Sequence, residues 1–250
     1  MFTLNYAGLT ACELGLADEA RARVRDAFAL AQRLNRPSEF AMAETVGISV
    51  YAELRDFRRT GEHAARLLQL ATEQQLPLYI AMARMCTGWA LALEGRPDEG
   101  VATPREGVPE FVATGARTAL GRTLGRLAET QLAAGAVTEG LETIEAALAV
   151  APEEVMHVPE LLRLRGALRA AAGADAETVE ASYRDAAAYA HRLGAKLREL
   201  QATTNLARHL RAHARAAEAR DLLAPLYASF TEGFDIRDLR EAKALLDELG

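Results

Sequence analysis

Gly15-Leu-Ala-Asp-Glu19-Ala20 returns as Gly95-Arg-Pro-Asp-Glu99-Gly100 and again as Gly135-Ala-Val-Thr-Glu139-Gly140. The three glycines stand 80 and then 40 positions apart, so the period is forty residues, with one degenerate copy between the first two. A unit of that length cannot bury its own apolar face. It must stack on its neighbours, and the product is an extended array whose inner surface suits partner binding.

The surrounding residues keep step with the phrase. After it come a small residue, a large one four positions on and a small one three further: Ala20/Val24/Ala27, Ala64/Leu68/Ala71, Gly140/Ile144/Ala147 and, without the last small residue, Ala219/Leu223/Leu226. Those spacings share one helix face. Before it lies another helix, whose small residues Gly8, Ala52, Gly88, Ala128 and Ala207 each precede the small residue of the second helix by twelve positions. Two helical lines in register read as helix-on-helix packing.

The pattern predicts first helices over 3–14, 39–56, 78–94, 116–134, 159–172 and 195–212, and second helices over 17–34, 61–74, 97–114, 137–150, 175–193 and 215–230. Pro37, Pro77, Pro152, Pro159, Gly173 and Gly194 fall at or near the boundaries. The units are then 1–37, 38–77, 78–115, 116–152, 153–194 and 195–233. A capping helix follows over 235–249, with Asp235 as its cap, Gly233 in a left-handed turn and a stripe of Leu239, Ala242, Leu245, Leu246 and Leu249. One helix breaks the rule: Asp98 to Thr114 contains Pro104 and Pro109, and an internal proline costs a helix roughly 3 kcal/mol. Ala102 to Pro109 is therefore expected to be bent or partly unwound.

Composition narrows the function class. Half of the 250 residues are apolar but only 6% aromatic, which favours close helix packing over sheet. Net charge is −6 with the two signs interleaved, so no basic stripe offers itself to a nucleic-acid backbone. Lys occurs only at 196 and 243 against 27 Arg, a bias typical of a GC-rich bacterial genome. Cys12 and Cys86 lack metal-type spacing and read as buried apolar residues of a reducing compartment. Met1-Phe-Thr-Leu-Asn has no basic leader segment, and no window is apolar enough to span a membrane, so a cytoplasmic protein is expected.

Thr87-Gly-Trp-Ala-Leu-Ala-Leu-Glu-Gly-Arg-Pro-Asp-Glu-Gly100 resembles a tetratricopeptide (TPR) repeat of the longer, forty-residue kind. Glu218-Ala-Arg-Asp-Leu-Leu-Ala-Pro-Leu-Tyr-Ala-Ser-Phe-Thr-Glu-Gly-Phe-Asp235, continuing to Leu249, resembles the closing segment of large bacterial signalling proteins. In those, a class III cyclase domain or a LuxR-type DNA-binding domain is joined to an NTPase module and then to a TPR region. The resemblance implies an all-α, right-handed solenoid of six TPR-like hairpins with a regulatory or scaffolding role. Cyclase or NTPase domains of a parent protein are its implied partners in cis. No phosphate loop, cyclase metal pair or leftover helix-turn-helix occurs in this chain.

Such arrays bind partners in the groove lined by the first helices. Carried over unit by unit, that points to Asn5, Leu9, Ser49, Glu53, Met85, Trp89, Arg122, Glu129, Arg163, Thr204 and Arg208, whose polar members suit a peptide terminus or carboxylate; the plainer reading is a solvated face. Trp89 with Met82 and Met85 reads first as core packing. His209 and His213 share a helix face but lack a third ligand, and His63, His157 and His191 read as isolated surface residues. Ser49, Ser182, Ser229 and the two cysteines show no nucleophile–base arrangement. The reading is a non-catalytic module, without cofactor or metal, that binds a protein or peptide in bacterial signalling or transcription regulation. The alternative is a small-molecule sensor with a pocket near Trp89 and the proline-containing third unit.

Overall fold

In a computed structural model of the chain, residues 1–115, 119–150 and 155–250 are described, Thr103 and Pro104 by backbone alone. Among them there are helices and turns but no strand. The helices are α1 (Phe2–Glu13), α2 (Ala17–Leu34), α3 (Pro37–Glu53), α4 (Phe57–Glu73), α5 (Pro77–Leu93), α6 (Pro97–Gly100), α7 (Ala102–Ala113), α8 (Leu120–Ala133), α9 (Val137–Val150), α10 (Val158–Ala171), α11 (Ala176–Leu193), α12 (Lys196–Ala212), α13 (Ala216–Ala228) and α14 (Arg237–Glu248). Each packs on its neighbours in sequence. The expected helix start at 116 and the boundary at Pro152 lie outside the described residues.

Local chemistry sets the ends. Pro37 and Pro77 sit in the first turns of α3 and α5, where a missing amide hydrogen costs nothing. Asp56 and Asp175 cap α4 and α11 by accepting from the Arg59 and Thr178 amides. The register of twelve is visible in the packing: a Cβ on Gly100 would stand 2.4 Å from the Gly88 carbonyl oxygen, so only glycine lets that turn lie on α5.

Two expectations are corrected. The expected interruption of this helix is present but falls at Val101, between α6 and α7, and the backbone is helical from Ala102 through Pro109. Pro104 has no amide hydrogen to donate to the Gly100 carbonyl, so the ladder parts there, and Pro104 then falls in the first turn of α7 where no such bond is needed. Asp235 does not cap α14. Ile236 is at the cap, and Asp235 instead pairs with Arg21 at 2.9 Å, 214 residues earlier.

That pair belongs to a seam joining the two ends of the array. The Phe230 ring lies over Gly15, where any Cβ would approach it to 2.5 Å, and Gly233, at φ +71°, lies against Ala17. Glu232 accepts from the Asp18 and Glu19 amides, at 2.8 and 3.3 Å, and so caps α2 from the far end of the chain. One apolar core runs from Ala11 and Val24 through Val50 to Leu206, Leu223 and Leu245. The accessible surface is 11348 Å², close to the roughly 10,800 Å² of a globular protein of this mass.

Candidate functional site

Closure has a consequence on the inner side. Glu13 and Glu53 end α1 and α3, Arg55 follows in the next turn, and Glu129 lies on α8. Glu160 and Arg163 stand in the opening turns of α10, Arg198 in that of α12 and Asp238 in that of α14. The late helices thus bring their beginnings to the ends of the early ones, and these side chains meet.

Arg55 Nη1 lies 3.1 Å from Glu129 and its Nε 3.9 Å from Asp238. Arg163 holds Glu160 at 2.6 Å and Glu129 at 3.4 Å. Arg198 reaches Glu13 at 3.4 Å, Glu160 at 3.5 Å and Glu53 at contact. Trp89 donates its indole hydrogen to Glu129 at 2.8 Å, and Gln201 links Arg198 to Asp238. Three guanidiniums face five carboxylates.

Burial pushes Glu13 up, against the pull of Arg198, and pushes Asp238 up against Arg55 and Gln201. Burial acts on Glu129 in the same sense, but Arg55, Arg163 and the Trp89 hydrogen bond outweigh it and hold it down. Carboxylates thus outnumber guanidiniums in the network, and burial raises Glu13 and Asp238 while Glu129 is held down. Glu13 Oε2 is buried without a hydrogen-bond partner, in line with the burial that raises this carboxyl.

Beside the network a cavity of about 40 Å³ is walled by Trp89, Arg126, Glu129, His157 and Glu160. A second, of about 30 Å³, lies above it between Met82, Met85, Phe111 and Arg126. Arg126 lines both. Its guanidinium lies 5.0 Å over the Trp89 ring and its Nη1 touches Cys86 Sγ at 3.1 Å, and it has no carboxylate partner among the described residues. Its charge is felt at His157, which burial, Arg122 and Arg126 together push down to about 3.

No protein-family model and no curated protein matches the chain.

Of the eleven residues expected along the inner face, Glu53, Trp89, Arg122 and Glu129 line the first cavity, and Arg163 is bonded to Glu129. Met85 and Ser49 border the second. Thr204 is buried and bonds the Leu200 carbonyl, Asn5 and Leu9 are half-buried, and Arg208 is exposed and paired with Glu241. Trp89 is 4% exposed and meets the Phe57 ring edge-on, so it packs in the core as read.

Two histidines differ from expectation. His63 is buried, stacked on Tyr51, with Nδ1 2.6 Å from Glu44, in space left by Gly47. His157 is half-buried beside two arginines, and of the three read as isolated surface residues His191 alone is exposed. Among the described residues no group of three or more His, Cys, Asp or Glu side chains is placed to hold a metal ion, and no helix is long and apolar enough to cross a membrane. The sequence reading missed Glu13, Arg55, Arg126, Glu160, Arg198, Gln201 and Asp238. A signal existed for some: Glu13 and Glu53, and Arg198 and Asp238, are pairs forty residues apart.

Proposed function

We propose that the chain is a non-catalytic interaction module that holds a protein or peptide partner by an acidic group seated against Arg126. In this reading the helices form a right-handed array of six TPR-like hairpins closed by α14. The module serves bacterial signalling or transcription regulation in the cytoplasm, with cyclase or NTPase domains as partners in cis. The observation that carries it is a half-buried guanidinium, shared by two small cavities, whose charge no carboxylate of the described residues meets. Met82 and Met85 beside it offer the adaptable apolar contact that peptide sites favour.

Cavities of about 40 and 30 Å³ admit the end of a side chain or a water or two. That size favours a group reaching in from a peptide over a small apolar ligand enclosed beside Trp89. The Trp89 ring under Arg126 supplies the test. In a panel of acidic and amidated peptides, an acidic member is expected to change Trp89 fluorescence saturably, and the change should vanish in Arg126→Gln. A panel that leaves the fluorescence unmoved, or a response that survives Arg126→Gln, overturns the proposal.

A further inference from the structure

A second concavity lies where the two ends of the array meet, on the side of the turns after α3 and α5, and Arg126 has no part in it. It is an open cup of about 680 Å³. Seven arginines line it against Asp56, Glu94 and Asp235, a formal excess of four positive charges on a chain whose net charge is −6. They converge from separate segments: Arg58 and Arg59 from α4, Arg96 from the turn before α6, Arg237 and Arg240 from α14, with Arg21 and Arg55 behind them.

Three of the seven hold a carboxylate by one nitrogen only, whereas Arg96 grips Glu99 through Nε and Nη2 and keeps Nη1. Arg58 uses Nη1 on Glu62, Arg59 uses Nε on Asp56 and Arg237 uses Nε on Glu241. A guanidinium carries five N–H donors, so each keeps donors for a ligand. Arg240 is exposed with no ion-pair partner among the described residues. Behind the rim, α14 begins without a side-chain cap, so its first amides add to the positive field.

We infer that this cup binds a small polyphosphate and recognises its phosphates alone. Several forks aimed into one concavity match the many oxygens of a phosphate chain better than a single carboxylate. A base would need a free aromatic face. The one ring in the cup, Phe57, is covered by Arg55 and Arg237, each 5.3 Å from its centroid, and meets Trp89 at its edge. A nucleotide would therefore be held by its phosphates with the base left in solvent. The seven arginines converge on one concavity rather than along a stripe, which suits a short phosphate chain better than a nucleic-acid backbone.

The test is calorimetric titration of the full chain with sodium tripolyphosphate at fixed ionic strength. One saturable site is expected, with ATP binding within about threefold of tripolyphosphate and citrate at least tenfold weaker. The double variant R96E/R240E, changed only at exposed positions, should lose at least tenfold in affinity. Arg184→Glu, outside the cup, should keep it. Absence of saturable binding, binding that survives the double variant or falls equally with Arg184→Glu, ATP binding much tighter than tripolyphosphate, or preference for citrate or an acidic peptide each overturns the inference.

Discussion

Trp89 Nε1 donates to Glu129 Oε2 at 2.8 Å, forty residues along the chain. The two occupy the same place on successive first helices, α5 and α8, so the repeat that stacks the helices also aligns a donor with an acceptor. Glu129 then passes the contact to Arg55 and Arg163, and through Glu160 to Arg198. A line of polar contacts thus crosses the interior from the second helix pair to the last.

Arg198 is the member on which most depends, since Glu13, Glu53 and Glu160 all meet it and it is 7% exposed. Removing one partner of a buried ion pair leaves charge unmet, and Arg198→Met is expected to cost about 3–5 kcal/mol in urea denaturation. Arg208, exposed and paired only at the surface with Glu241, gives the contrast: Arg208→Met should cost under about 1 kcal/mol. Equal losses in the two variants would deny the network its weight.

His157 carries a signed pH dependence. Its folded-state pKa lies at about 3 against an ordinary 6.5, because burial and the nearby Arg122 and Arg126 disfavour its charged form. The unfolded chain binds the proton first, so stability falls as pH drops from 6.5 towards 3, by at most about 1.4 kcal/mol per pH unit from this group. Glu13 and Asp238, raised in the fold, act in the opposite sense: their contribution is present at low pH and fades as pH rises through their folded values. Subtracting the curve of His157→Gln from that of the parent isolates the histidine. A flat difference between pH 3 and 6.5 would contradict the assignment.

Arg55 and Ala214 share a backbone geometry but not a role. At the turn that follows each first helix, Gly15, Gly95, Gly135 and Gly173 take positive φ, and Arg55 (φ 54°) and Ala214 (φ 60°) take it where a glycine is missing. A side chain there costs roughly 1–2 kcal/mol. Ala214→Gly should therefore stabilise by about 1 kcal/mol. Arg55→Gly relieves the same strain yet should destabilise by about 2 kcal/mol or more, because Glu129 and Asp238 lose a partner. Thermal denaturation of both variants decides the matter, and a stabilising Arg55→Gly would count against it.

The helices were legible in the sequence because their causes are local. Small residues at spacing twelve, prolines at first turns and glycines at the forty-residue phrase act within one unit, and the structure ends α2 at Leu34 and α11 at Leu193 where the pattern does. The degenerate phrase hid its own meaning: Arg55 stands where a glycine is expected, and the strained position is the one that delivers a guanidinium to the interior. What stayed illegible is closure. Nothing near Gly15 announces that Phe230 will cover it, and nothing near Asp18 announces Glu232. Only when the ends meet do Glu13, Arg198 and Asp238 cease to look like solvated positions.

Small-angle X-ray scattering of the monomer tests the closed array most directly. A chain of 250 residues folded as tightly as a globular domain has a radius of gyration of about 18 Å. The Phe230–Gly15 and Arg21–Asp235 contacts predict a value near it, with a distance distribution of a single peak. A radius several ångströms larger, with the extended tail of an open solenoid, would contradict the account.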